Sequence, residues 1–215
     1  MPINLTQMIL PPGQSVLFEA VDWPSFEAFL DQMGERPGVR LAYDDEVLEL
    51  MTPLLEHEDD KQIIGDLVEA LLETLDIEFR NIGSTTLRSP AVAKGVEPDQ
   101  CFYIAHESAI RGKRRIDLAM DPPPDLALEI DITSRRDHRP IYAALRVPEL
   151  WRFDGTRLHI HCLRGDTYVE TGHSDQFPRL PLADAIPRFL EQSRVDGRNA
   201  AVRAFRDWAR KIAPG

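Results

Sequence analysis

The chain has 215 residues, enough for one domain with a sizeable core and short for two, and its 43% hydrophobic and 28% charged content is that of an ordinary soluble globular protein. A net charge of -11 argues against tight sequence-independent binding to polyanions and leaves room only for a local basic groove. No apolar run approaches the roughly 20 residues of a membrane span. Met1-Pro2-Ile3-Asn4-Leu5 lacks the basic start and apolar core of a signal peptide, so a cytoplasmic location without membrane contact is expected.

In chain order, residues 1–15 have little periodicity and read as an extended arm on a single domain spanning 1–215. Trp23 to Leu30 reads as a short amphipathic helix with Phe26, Phe29 and Leu30 on one face. Val39 to Tyr43 and Val47 to Met51 are strands, and Asp44-Asp45-Glu46 between them is a hairpin signal. Thr52-Pro53 reads as a cap and first residue of a helix, whose stripe of Ile64, Val68, Leu71 and Leu75 runs to about Asp76. Extended backward, the stripe places Glu56 and His57 at its inward edge and turns Glu58 outward. Acids in a first turn also simply favour the helix dipole.

Ile77 to Ile82, Thr85 to Ser89 and Val96 to Ile104 are strand candidates. Pro98 inside the last marks an edge, a bulge or a strand start, so Asp99 falls where the ladder is irregular. Ser108 to Asp117, polar and basic, reads as a mobile loop. Then Pro122-Pro123-Pro124 breaks the chain before a strand in which Leu126, Leu128, Ile130 and Ile132 alternate with Asp125, Ala127, Glu129 and Asp131. Its acidic face needs protonation, a nearby arginine or lysine, or a metal ion. Thr133-Ser134 offers a cap, and Arg135 to Arg139 leads into a helix at Pro140 to Leu145.

Glu149 to Phe153, Leu158 to Cys162 and Tyr168 to Glu170 form an antiparallel set, with Asp154-Gly155 as a turn. His159 and His161 share a face there but have no third ligand nearby in sequence, and Cys101 and Cys162 read as buried free thiols. Helices at Leu182 to Gln192 and 199–212 close the chain. Ala201, Phe205, Trp208 and Ile212 line one face of the last helix, for packing on the body or on a second subunit, which makes a homodimer an expectation.

If the strands carrying Asp99 and Glu129 are neighbours, and the helix presents Glu56 or His57, two to four ligands converge. Hard oxygen ligands select Mg²⁺ or Mn²⁺. Several segments in order carry a family resemblance: Leu41-Ala42-Tyr43 through Pro53, Glu56-His57-Glu58, Glu97 to Ile104, Pro124 to Thr133 and Pro140 to Phe153. Together they resemble the Uma-type family of restriction endonucleases in the PD-(D/E)XK nuclease superfamily. The resemblance implies an α/β, restriction-endonuclease-like core, a mixed central sheet flanked by helices, with Mg²⁺ (or Mn²⁺) held by Asp99 and Glu129. It also implies hydrolysis of phosphodiester bonds in nucleic acid, DNA in the first place. The superfamily pattern wants lysine two residues after the glutamate, and Asp131 stands there. In the family the basic residue often moves to the following helix, where His138 occupies the matching position and Arg136 or Arg139 is adjacent. The expected constellation is Asp99, Glu129, Asp131, His138 and His57 for catalysis, with Asp99, Glu129 and Glu56 around the metal. The alternative is a catalytically inactive protein of the same fold that acts as a metal- or ligand-binding regulatory module.

Overall fold

The computed structural model describes residues 10–33, 38–131 and 136–212. β1 (Ser15–Phe18) is followed by α1 (Trp23–Met33) and by the hairpin of β2 (Arg40–Asp44) and β3 (Val47–Met51). Asp45 and Glu46 both have positive φ, 49° and 60°, which is the twist a two-residue hairpin turn requires. β1 pairs with β3, so the segment read as an arm ends as a sheet edge. With β5 (Leu87–Ser89) and β6 (Lys94–Val96) these strands form an antiparallel sheet in the order β1-β3-β2-β6-β5. α1 covers it, with Phe26 stacked on Tyr43 at 4.4 Å between ring centroids.

The second sheet is mixed. It is built from β4 (Arg80–Asn81), β7 (Gln100–Tyr103), β8 (Leu126–Ile130), β9 (Glu149–Phe153), β10 (Leu158–Arg164) and β11 (Thr167–Thr171), in the order β11-β10-β9-β8-β7-β4. β8 and β9 run parallel and are joined by a crossover through α4 (Arg139–Ala144), while the other described pairs are antiparallel. Leu126, Leu128 and Ile130 pack into one core with α2 (Leu55–Thr74), α5 (Leu182–Asp196) and α6 (Arg198–Ile212). Ala127, on the opposite face of β8, packs against Ile141 and Tyr142 of α4. The alternation read along β8 is therefore the division between two cores. α2 lies so close to β7 that a Cβ on Gly65 would meet the Gln100 side chain at 2.3 Å.

Several elements depart from the sequence reading for identifiable reasons. The strand expected over Val96 to Ile104 is two strands in two sheets. Pro98 has no N–H to give, and the Glu97 N–H donates to Leu41 O while the Asp99 N–H donates to Leu128 O, one to each sheet. Thr52 does not cap α2. Its hydroxyl donates to the Pro11 carbonyl, and the helix begins at Leu55. The stretch read as a mobile loop begins inside α3 (Glu107–Ile110), with Ile110 buried, and the Arg80 guanidinium pins the C-terminal end of α3 and the turn after it by donating to Ile110 O and Lys113 O at 2.7 and 2.8 Å. The cap expected at Thr133-Ser134 lies outside the described residues. Phe205, offered for a second subunit, is fully buried against Phe189 of α5, and Trp208 stacks on it. Cys101 and Cys162 are buried free thiols, and no helix among the described residues is long and apolar enough to cross a membrane.

Candidate metal centre

The crossing between the sheets sets the position of Asp99. The ladder pairs Gln100 with Leu128 and Cys101 with Ala127, which puts Asp99 across from Glu129 on the neighbouring antiparallel strand. The Asp99 side chain is 3% exposed. Its Oδ2 accepts the Ile130 N–H at 2.8 Å and lies 3.3 Å from His57 Nε2, and its Oδ1 lies 3.4 Å from Arg40 Nε.

The three carboxylates of the β8 face are compensated in three different ways. Asp125 is buried away from Glu129 and accepts the N–H groups of Ile104 and His106 at 2.7 and 3.0 Å, so it organises a loop. Glu129 accepts the Tyr142 hydroxyl, and burial first, then the charge of Asp99, pushes its carboxyl up to about 7 against the pull of His138 and Tyr142. Asp131 is bonded by the Arg152 guanidinium. Arg152 is the register partner of Glu129 on parallel β9, so it projects from the same face of the sheet.

His138, just ahead of α4, is partly buried with Nε2 at 3.1 Å from Glu49 Oε2. Burial opposes its charge, yet the Glu49 hydrogen bond and the charges of Glu129 and Glu49 prevail and raise its pKa above that of an ordinary imidazole. His57 is raised in the same way, with burial opposed by the hydrogen bond and charge of Asp99 and by Glu58 and Glu129. Glu97 is pushed up to about 7 by burial and by Asp99, while Arg40 and Lys61 pull it down.

A cavity of about 20 Å³ lies between Arg40, His57, Glu97, Asp99, Glu129 and His138. That is room for one water-sized guest. A smaller void of about 10 Å³ adjoins it, lined by Asp131, Arg136, Arg139 and Arg152 and sharing Glu129 and His138. His57, Glu58 and Asp99 offer ligand atoms within 4.8 Å of one another, and His57 Nδ1 is buried without a hydrogen-bond partner. A mixed oxygen and nitrogen donor set with an orphaned buried nitrogen fits a divalent cation.

A family model described as "Uma2: Putative restriction endonuclease" matches residues 23–195. The chain belongs to the Uma2 family. The Uma2 chain is also similar to a solved structure titled as a putative nuclease belonging to DUF820 from Anabaena variabilis, at 11% identity and a TM-score of 0.49, covering 72% of this chain and 87% of that one. Comparison with curated protein sequences gave no match.

Of the residues expected from sequence, Asp99, Glu129, His57 and His138 line one cavity of this Uma2 protein, and Asp131 lines the void beside it. Glu56 does not join them. It is exposed, and Glu58, itself partly exposed, is the acid that lies with His57 and Asp99 instead. Counting back seven from Ile64 lands on His57, with Glu56 and Glu58 about 100° to either side of it. Contacts from elsewhere decide between the two, since Lys61 Nζ lies 2.6 Å and Arg40 Nη2 3.4 Å from Glu58. Arg40, Glu49, Tyr142 and Arg152 were not legible as site residues. The available signal was Glu49 itself, a lone charge between Leu48 and Leu50 in a strand whose alternation sends it opposite to both. His159 is held by Asp154 and Glu170, and among the described residues neither it nor His161 belongs to a metal-competent group.

Proposed function

We propose that this Uma2 protein is a metal-dependent endonuclease that hydrolyses phosphodiester bonds in DNA. The observation that carries the reading is the approach of Asp99 and Glu129 across β7 and β8 to a water-sized cavity also lined by His57. Asp99 and Glu129 would hold Mg²⁺ or Mn²⁺, with His57 and Glu58 beside them. Such an ion supplies a lowered pKa for bound water and neutralises charge on the attacked phosphate. Arg40, 3.4 Å from Asp99 Oδ1, fixes that carboxylate, and the Tyr142 hydroxyl orients Glu129. The Glu49 hydrogen bond favours the charged form of His138 beside Glu129, which makes His138 the candidate cation facing the phosphate. Asp131, in the place of the superfamily lysine, holds Arg152 on the same sheet face, so the neighbouring strand brings a cation to the position that Asp131 cannot serve.

The ion pair of Asp131 with Arg152 and that of Arg139 with Asp137 also favour a second reading, in which the cations neutralise local acids and the fold is a non-catalytic binding module. Cleavage of plasmid and single-stranded DNA in Mg²⁺ and Mn²⁺ separates the two. The nuclease reading expects activity in the wild type that falls about 100-fold or more in Asp99→Ala and Glu129→Ala, with calorimetric Mn²⁺ binding lost in both. An inactive wild type, or equal activity in all three proteins, refutes it.

A further inference from the structure

Away from the small central cavity, the edge strands of the two sheets enclose a cleft of about 670 Å³. Arg80 of β4, Arg88 of β5, and Arg114 and Arg115 from the segment after α3 line it, against one acid, Asp31. Among the described residues the lining holds four arginines and one carboxylate, with Glu27 near Arg88, a local inversion in a chain of net charge -11. The segment is fixed in place. Arg80 clamps it through two carbonyls, Arg111 forks onto Glu107, and the Asp117 N–H donates to Asp121 Oδ2 at 2.9 Å. Arg114 and Arg115 are exposed on that fixed segment and form no ion pair among the described residues. Arg88 reaches Glu27 only at 3.6 Å, and its Nη1 has no hydrogen-bond partner.

The cleft wall is also tied to the metal centre. The connector between β4 and β5 contributes Ile82, Thr85 and Thr86 to the lining. Within it, the Ser84 hydroxyl donates to the backbone carbonyl of Asp99 at 3.1 Å, and the Ile82 N–H donates to Cys101 O at 3.0 Å. A chain lying in the cleft therefore runs along the segment that holds Asp99.

We propose that this cleft binds the phosphodiester backbone of the DNA strand presented to the metal centre. Arg88, Arg114 and Arg115 contact phosphates, and Arg80 is a positioning residue. Guanidinium forks match phosphate oxygens, and one-sided positive lining captures a polyanion that the rest of an acidic surface repels. The identity of the ligand as DNA rests on the nuclease reading above.

The test is fluorescence anisotropy of a labelled duplex over a salt series in EDTA, where no cleavage occurs. Each phosphate contact contributes a slope of about -0.9 in log K against log salt, so three contacts give roughly -2.7 for the wild type. Replacing Arg114 and Arg115 by alanine removes about 1.8 from that slope and weakens binding roughly 50-fold at about 0.1 M salt. Arg179→Ala, an exposed arginine outside the cleft, leaves both unchanged. Equal affinity and slope in the wild type and the double variant overturns the proposal, and so does a wild type that binds no DNA at low salt. Tighter binding of single-stranded RNA through the same arginines overturns DNA as the partner. Hydrolysis of bis(p-nitrophenyl) phosphate by the wild type in Mn²⁺ reports the metal chemistry separately. If that reaction depends on Asp99 but DNA affinity ignores the arginines, the cleft is wrong and the nuclease stands. If the arginines govern affinity and neither diester is cut, the nuclease is wrong and the cleft stands.

Discussion

Replacing Glu129 by glutamine should stabilise the metal-free protein, and by an amount that depends on pH. Burial and the neighbouring Asp99 charge hold the Glu129 carboxyl at about 7, against 4.5 when unperturbed. Between those values the folded chain keeps a proton that the unfolded chain has released. Stability therefore falls as pH rises through that window and levels off above it. At about 1.4 kcal/mol for each pH unit of the gap, the full loss is on the order of 3 kcal/mol. Glutamine carries no charge and still offers an oxygen to the Tyr142 hydroxyl. The advantage of Glu129→Gln over wild type should grow by about 2 kcal/mol between pH 5.5 and 8.5, roughly 4–8 °C in Tm for a chain of this size. Thermal unfolding followed by circular dichroism in EDTA across that range reads it directly. Adding Mn²⁺ at pH 8.5 should raise the Tm of wild type and leave the variant where it was. A stability difference that stays constant with pH would refute the reasoning, because it would mean that Glu129 ionises as easily in the fold as out of it.

The same geometry sets four further outcomes. Glu97→Gln should show the same pH signature in Tm, but its gain should not add fully to that of Glu129→Gln, since both carboxyls are pushed up by Asp99. Asp125→Ala removes the acceptor of two backbone N–H groups and should lower urea-unfolding stability by roughly 2–4 kcal/mol while calorimetric Mn²⁺ affinity is unchanged; loss of Mn²⁺ binding would place Asp125 in the centre after all. Phe205→Ala should cost about 3–5 kcal/mol in the same urea experiment, and a value below about 1 kcal/mol would show that α6 does not complete the core. The His159 pKa is raised by its hydrogen bonds to Asp154 and Glu170, so its stabilisation is present below about 6.5 and disappears as pH rises through the raised value. His159→Gln should accordingly lower Tm near pH 6 by an amount worth up to about 1 kcal/mol and leave it unchanged near pH 9.

The acidic strand was readable because alternation is a strong signal. Leu126, Leu128 and Ile130 against Ala127 and Glu129 state the two faces of β8 without tertiary information. Pro98 likewise announced an irregular ladder at Asp99, although not that the irregularity is a change of sheet. The partners brought from far along the chain were hidden. Glu49 meets His138 across 89 positions, and nothing local to either residue marks the pair. The choice between Glu56 and Glu58 failed for the same reason, since it was settled by Arg40, 18 positions before Glu58. Arg152 was hidden because it reads as an ordinary outward residue of an amphipathic strand until β9 is laid parallel to β8.

The three residues from Glu97 to Asp99 have a mechanical consequence. β6 ends at Val96 in one sheet and β7 begins at Gln100 in the other, with a proline at the middle of the connector and its two flanking N–H groups anchored one to each sheet. The link is three residues long, and each of its ends is fastened to the sheet it adjoins. Asp99 itself is fastened to the second sheet twice, by its own N–H to Leu128 O and by the Ile130 N–H to its Oδ2, so it moves with the strand that carries Glu129. A carboxylate mounted in this way is preorganised, held at its position before any ligand arrives. The spacing of Asp99 and Glu129 is thereby written into the pairing of two neighbouring strands, and does not depend on how the first sheet sits against them.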